Sequence, residues 1–111
     1  MKERMMTKYV LFYVGGSMPE TEEENAQVMK AWEKWYAGLG TAVVDPGYPF
    51  TPSAKSITSD GSVSDGPAGT MASGYTILEA GSIDEAVKMA KTCPVLEGGA
   101  DISVFETFEV G

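Results

Sequence analysis

The chain has 111 residues, of which 43% are hydrophobic and 22% are charged, and its formal net charge is -8. This length and composition are typical of a single globular domain, here residues 1–111, that buries about two-thirds of its unfolded surface. The acidic charge argues against nucleic acid and against anionic membranes as partners, because their phosphate groups bind Lys and Arg.

The first predicted element is a strand over residues 7–16, "TKYVLFYVGG". Both of its faces are apolar, so both are expected to be covered. One face holds Tyr9, Leu11 and Tyr13, and the other holds Val10, Phe12 and Val14. A single layer of helices covers one face only, which leaves the other for a second sheet or a second subunit.

A helix is predicted over residues 19–40. Thr21 followed by Glu24 fits a capping box, in which each side chain bonds the backbone N–H of the other residue. Further glutamates stand in the first turn, where the helix dipole favours negative charge. The apolar stripe expected to face the sheet consists of Val28, Met29, Trp32, Trp35, Tyr36 and Leu39.

The middle of the chain predicts short strands and turns. Residues 41–50 begin as a short strand, and the segment that follows is rich in Pro, Gly, Ser and Asp. This segment is typical of a hairpin, with arms at 53–57 and 62–64 around a turn at 59–61. A longer strand is predicted at 74–80.

The last part of the chain predicts a helix at 82–94 and a strand at 100–110. Ser82 and Glu85 form a second capping box, and Pro94 marks the end of the helix. The buried stripe of this helix is predicted to consist of Ile83, Ala86, Val87 and Ala90. In the last strand, one face is predicted to consist of Ile102, Val104, Glu106, Phe108 and Val110.

This order of elements predicts an α+β fold, the ferredoxin-like split βαβ arrangement. Its antiparallel sheet carries both helices on one face, so the opposite face would stay bare in a monomer. Because the first strand is apolar on both sides, we expect a homodimer in which two sheets stack face to face.

Several segments resemble the YCII-related family in its DGPF-type subgroup. They are "KYVLFYVGG" at the start, "VSDGPAG" at 63–69 and "SGYTILEAGSIDEAVKMAKTCP" at 73–94. The resemblance implies a dimeric α+β barrel with a cleft where the two sheets meet, near the Asp-Gly-Pro turn. It also puts Met29 and Cys93 where some relatives carry a His–Asp pair, and Ala68 where the subgroup has Phe.

The residue inventory restricts the chemistry. The absence of histidine excludes Ser–His and Cys–His nucleophile pairs. A single cysteine, Cys93, excludes an internal disulfide and argues against a zinc site, so neither metal nor cofactor is predicted. The polar start and the lack of a long apolar run predict a cytoplasmic protein with no membrane partner.

Two carboxylates are the candidate catalytic residues. Asp65 either lines the cleft as a base or ligand contact, or only makes the Asp-Gly-Pro turn. Glu106 stands between apolar residues on one strand face. It is either a buried acid or base with a raised pKa, or an exposed carboxylate at a sheet edge.

Tyr13, Tyr48 and Met71 are the candidate ligand-binding residues. Either tyrosine hydroxyl would bond a ligand in the cleft, although tyrosines of this kind more often pack at a dimer interface with the hydroxyl reaching water. Cys93, at the end of a helix, is interpreted as a small structural thiol.

Two functions follow from these patterns. The first is binding of a small polar metabolite, with weak acid–base catalysis, in the inter-sheet cleft of the homodimer. The alternative is a non-catalytic interaction or regulatory module, which the missing histidine favours.

Overall fold

The computed structural model describes residues 6–109 of the chain. Six strands and two α-helices make up most of this part. In chain order they are β1 Thr7–Gly15, α1 Glu22–Leu39, β2 Val43–Asp45, β3 Lys55–Ile57, β4 Val63–Asp65, β5 Ala72–Ala80, α2 Ile83–Ala90 and β6 Ala100–Glu106. Short 3-10 helices precede β2, at Gly40–Ala42, and follow α2, at Pro94–Gly98.

Four strands form one antiparallel sheet in the order β2-β5-β1-β6. The two long strands, β1 and β5, lie at its centre, where Leu11 stands opposite Thr76. On the other side of β1, Leu11 stands opposite Val104 of β6. The structure is thus α+β with an antiparallel sheet, and its strand order is compatible with the predicted ferredoxin-like arrangement.

Both helices pack on the same face of the sheet, as predicted. The buried cluster on that face joins Trp35 of α1 and Ala90 of α2 to Leu11 and Leu78 of the central strands. The indole Nε1 of Trp35 donates to the backbone oxygen of Met89 at 3.1 Å, which ties α1 to α2. The core therefore lies between one layer of helices and one sheet.

The bonds from the two cap hydroxyls form as the sequence predicts, whereas each glutamate accepts from the backbone N–H of the residue before the cap. The hydroxyl of Thr21 accepts from the backbone N–H of Glu24 at 3.0 Å, and the Glu24 carboxylate accepts from Glu20 N. Ser82 and Glu85 repeat this pattern at the start of α2. Because the cap residue itself lies outside the helix, α1 begins at Glu22, three residues after the predicted start.

Parts of the predicted helix stripes are exposed. In α1, Val28 is 38% exposed and Met29 is 54% exposed, and the contacts with the sheet begin at Trp32. In α2, the small Ala86 and Ala90 are buried, whereas Ile83 and Val87 remain exposed. Alanines four residues apart let a helix backbone approach the sheet closely, which leaves bulkier neighbours at the margin.

The predicted ends of α2 and β6 are wrong. α2 ends at Ala90 rather than at residue 94, because Pro94 disfavours a helical conformation at Cys93, whose ψ is 131°. β6 ends at Glu106, and Phe108 is 83% exposed beyond it. Val110, also predicted for this strand, lies outside the described residues.

The predicted hairpin forms, but as a separate two-stranded sheet of β3 and β4. Its register pairs Lys55 with Asp65 and Ile57 with Val63. The turn closes through a bond from Thr58 N to Ser62 O at 2.8 Å, and Gly61 supplies a φ of +90°.

The sheet face opposite the helices is apolar and largely open within residues 6–109. Val10, Phe12 and Val14 of β1 are half-buried there, and Phe105 of β6 is 54% exposed. Phe50, from the loop after β2, lies across part of this open face. A second sheet over the open face stays a prediction.

As for membranes, none of the helices within residues 6–109 combines the length and the hydropathy that a bilayer crossing requires.

Candidate functional site

Asp65 lies at the end of β4 with an exposed side chain. Its Oδ1 is 2.5 Å from Nζ of Lys55, directly across the hairpin. The turn that follows depends on Gly66, which has a φ of +89° and donates its backbone N–H to Ala54 O at 2.8 Å. The described contacts of the Asp65 carboxylate thus pair it with a lysine of the same hairpin.

Glu106 is exposed at the end of β6, opposite Tyr9 of β1. β6 is an edge strand of the sheet. In the single chain this placement corresponds to the second interpretation of Glu106, an exposed carboxylate at a sheet edge.

Tyr13 points toward the helices and is 4% exposed. Its hydroxyl donates to Oγ1 of Thr76 at 2.6 Å, and Thr76 in turn donates to the backbone oxygen of Pro46 at 3.0 Å. Burial raises the pKa of the Tyr13 phenol. Because the sheet separates it from the open face, Tyr13 does not line a cleft there.

Cys93 joins the same buried group. Its Sγ lies 3.6 Å from the Tyr13 hydroxyl, and the residue is 2% exposed. Burial raises the pKa of the thiol, which keeps it protonated at neutral pH. These properties agree with its interpretation as a structural thiol.

The two other predicted ligand contacts lie near the base of the hairpin. Tyr48 is 72% exposed, next to the bridge that Pro49 makes with Gly74 of β5. Met71 is 39% exposed and lines an open cleft of about 260 Å³. The other residues lining this base cleft are Phe50, Thr51, Ser53, Ala54, Lys55, Pro67, Ala68 and Ala72.

The predicted site residues are therefore only partly brought together. Met71 lines the base cleft, and Asp65 is linked to it through its ion pair with Lys55. Glu106 and Tyr13 belong to other parts of the fold. The small residues around the Asp-Gly-Pro turn, including Ala68, leave room at the base cleft, as their composition suggests.

An aromatic cluster on the open face was missing from the sequence predictions. Phe12 makes edge-to-face contacts with Phe50 and Phe105, with ring centroids 6.5 Å and 6.3 Å apart. Phe50 also contacts Tyr75, at 6.0 Å. The alternation of β1 and β5 predicts which residues point to this side, but the contact with Phe50 depends on the path of the loop.

A carboxylate–phenol pair lies at the margin of this aromatic cluster. The Tyr75 hydroxyl donates to Oδ2 of Asp45 at 3.2 Å, and Gly47 N donates to Oδ1 at 2.9 Å. The pKa of Tyr75 is raised, mainly because the phenol is desolvated by burial and next because of the negative charge of Asp45. The sequence signal was the Asp-Pro-Gly turn at 45–47, which predicts the Gly47 bond but not the partner 30 residues away.

Gly47 is required for this arrangement. Its φ is +77°, and a Cβ built on it would lie 1.7 Å from the backbone oxygen of Tyr75. The loop after β2 therefore contacts the β5 backbone directly, which holds Asp45 within reach of the Tyr75 hydroxyl.

A second concavity, of about 510 Å³, lies on the helix side of the molecule. Its walls are α1 and the segment after α2, and it contains none of the predicted site residues. The residues that line it are Ala31, Lys34, Trp35, Gly38, Leu39, Thr92, Pro94 and Glu97. Within the part of the chain that the structure describes, no group of three or more Cys, Asp or Glu residues is arranged to hold a metal ion.

Comparison of the chain with protein-family models and with curated proteins found no match in either case. The resemblance to the YCII-related family therefore stays a prediction from the sequence.

Proposed function

We propose that the protein is a homodimer that binds a small polar metabolite in a cleft between two stacked sheets. The proposal includes membership of the YCII-related family, which rests on the Asp-Gly-Pro turn and on the segment at 73–94. It also includes the dimeric barrel that this family implies.

The observation that carries the proposal is the aromatic cluster on the open face. Half-exposed aromatic side chains that contact one another form the kind of apolar patch that marks an interaction site. Phe105 is 54% exposed and Phe50 is 44% exposed. A second copy fits this patch, because a two-fold axis brings the same residues of both subunits together.

The Asp45–Tyr75 pair supports recognition of a polar ligand beside this patch. A carboxylate has about four acceptor positions, and the described bonds to Asp45 use two of them. The remaining positions suit a ligand that carries N–H or O–H donors. The proposed cleft thus combines an apolar floor with one fixed acceptor at its margin.

Acid–base catalysis is the less supported part of the proposal. Asp65 and Glu106 are both exposed in the single chain. Catalysis by either residue would require that the second subunit bury it, since an exposed carboxylate in water lacks the environment of a tuned acid or base. Ligand binding without this requirement is the function that we favour.

The alternative, a non-catalytic interaction module, is favoured by one observation. Neither predicted catalytic carboxylate lines the base cleft or belongs to the aromatic cluster. On this alternative, the open face binds a different protein and no metabolite is involved.

Light scattering coupled to size exclusion tests the dimer. We expect a dimer for the unmodified protein and a shift to monomer for Phe105→Ser, which removes one ring from the aromatic cluster. Phe108→Ser is the matched control, because Phe108 is 83% exposed beyond the end of β6 and contributes no contact to the cluster. A monomer at micromolar concentration for the unmodified protein contradicts the proposal.

A thermal-shift screen against a metabolite library tests ligand binding. We expect a hit whose shift is lost in Asp45→Asn and kept in Asp65→Ala. Loss in Asp65→Ala alone would move the site to the hairpin. No hit across the library, together with a specific protein partner that needs Phe105, would support the interaction module instead.

A further inference from the structure

The β3–β4 hairpin stands apart from the rest of the fold. Its two strands pair only with each other among the described strands, and they form a sheet separate from the four-stranded one. A two-stranded hairpin without a packing partner is at best marginally stable in water. Within residues 6–109 the Lys55–Asp65 segment therefore has no strand pairing beyond the hairpin itself, and its base borders Phe50 and Ala72 at the base cleft.

The outer part of the hairpin carries apolar side chains on one side. Ile57 and Val63 stand directly opposite each other and are 71% and 61% exposed. Because strand residues alternate, the pair Ser56 and Ser64 points to the other side. The Lys55–Asp65 pair lies on the same side as Ile57 and Val63, so this side is apolar near the turn and charged at the base, whereas the opposite side carries the two serines.

The size of the open sheet face gives a reason to place this apolar side in a dimer contact. The four strands contain three, nine, nine and seven residues, and at ordinary strand spacing their face covers about 450 Å² in flat projection. A stable interface buries about 800 Å² on each partner. This flat projection is smaller than the accessible surface of a standard interface, so a further surface would enlarge the dimer contact toward the standard size.

The extended shape of the molecule agrees with a contact surface that the single chain leaves unoccupied. The radius of gyration of the Cα atoms is 16.0 Å, whereas a compact chain of this length has a value of about 13 Å. The thinnest dimension is 18 Å, so the chain is broad and flat and does not fold the hairpin back over its own core.

We propose that the β3–β4 hairpin is a dimer arm whose Ile57–Val63 side packs against the second copy of the chain. This inference rests on the proposed homodimer and adds a second contact to the sheet stack. Because Lys55, at the start of the arm, also lines the base cleft, docking of the arm holds one wall of that cleft in place.

Sedimentation equilibrium on variants of the arm tests the proposal. Ile57→Thr combined with Val63→Thr keeps β-branched residues that suit a strand but removes apolar surface. We expect the dimer dissociation constant to rise about tenfold or more. Ser64→Asp, on the polar side of the same hairpin, is the matched control and should change the constant by less than about threefold.

Hydrogen exchange on the unmodified protein gives an independent readout. Amides of residues 55–57 and 63–65 should gain protection as the protein concentration rises through the dissociation constant, and the double variant should lose this gain. A wild-type dimer that the double variant leaves unchanged, with hairpin amides unprotected at every concentration, would overturn the arm and leave the proposed sheet-stacked dimer standing. A monomeric wild-type protein would overturn both.

Discussion

The phenol of Tyr75 donates a hydrogen bond to Oδ2 of Asp45 across 3.2 Å, at the margin of the sheet face that the helices leave open. This contact joins the central strand β5 to the edge strand β2. It also places a carboxylate beside the ring contact between Phe50 and Tyr75. The bond is therefore both a structural link and the polar part of the proposed ligand site.

Replacing Asp45 with Asn should lower the pKa of Tyr75. Burial and the negative charge of Asp45 both favour the neutral phenol, so they raise its pKa, and removing the charge reverses the second effect. NMR titration of the protein with ¹³C-labelled tyrosine rings measures this value directly. Asp65→Asn, a change of the same kind on the hairpin, should leave the Tyr75 titration unaltered; a matching fall in both variants would contradict the assignment.

Gly47→Ala should destabilise the protein strongly. The substitution combines a positive φ with a clash against the Tyr75 backbone, which has little freedom to move. We expect a loss of about 3 kcal/mol or more in the free energy of unfolding, measured by urea denaturation. Gly61→Ala separates the two causes, because Gly61 also has a positive φ but a Cβ there meets open space.

Gly61→Ala should therefore lower the free energy of unfolding by only about 1 kcal/mol, because it adds the strain of the backbone conformation without a clash. Equal losses at Gly47 and Gly61 would show that the loop after β2 does not contact β5 as closely as described.

Tyr13→Phe should lower the free energy of unfolding by about 1–2 kcal/mol at neutral pH. The change removes the hydrogen bond that Tyr13 donates, and the buried hydroxyl of Thr76 then lacks the donor to its oxygen. Tyr48→Phe is the matched control, since Tyr48 is 72% exposed and should change stability by less than about 0.5 kcal/mol. Urea denaturation of the three proteins measures both effects.

Because the pKa of Tyr13 is raised in the folded protein, we expect the free energy of unfolding to fall at alkaline pH. The folded state raises the pKa of Tyr13, so folding favours the protonated phenol. Its contribution is fully present below the unfolded pKa of about 10 and declines as the pH rises above it. Tyr13→Phe should flatten the fall in stability between neutral pH and pH 11, and an unchanged slope would contradict the burial of this phenol.

Cys93 should react slowly with a thiol reagent in the native protein. The residue is 2% exposed and its thiol has a raised pKa, so both access and thiolate population are low. A colorimetric disulfide reagent in native buffer and in urea measures the two rates, and we expect the rate in urea to be higher by about a hundredfold. Comparable rates in the two conditions would mean that the thiol is accessible without unfolding.

Local features of the fold were determined by the sequence alone. The two helix N-caps, the hairpin turn around Gly61 and the alternation of β1 each depend on residues a few positions apart. Their hydrogen bonds and periodicities are short-range, so the printed sequence contains all the information that they need. The order of the elements likewise favoured the split βαβ arrangement, with which the observed strand order is compatible.

The tertiary structure alone decided which side chains meet. Asp45 reaches Tyr75 because β2 pairs with β5, and Cys93 reaches Tyr13 because the segment after α2 returns to the centre of the sheet. The helices pack on the sheet face that carries Tyr13, so Tyr13 is buried, and the opposite face with Phe105 stays open. Such contacts depend on register and on the choice of sheet face, which are set by the summed packing of distant residues and not by any local pattern.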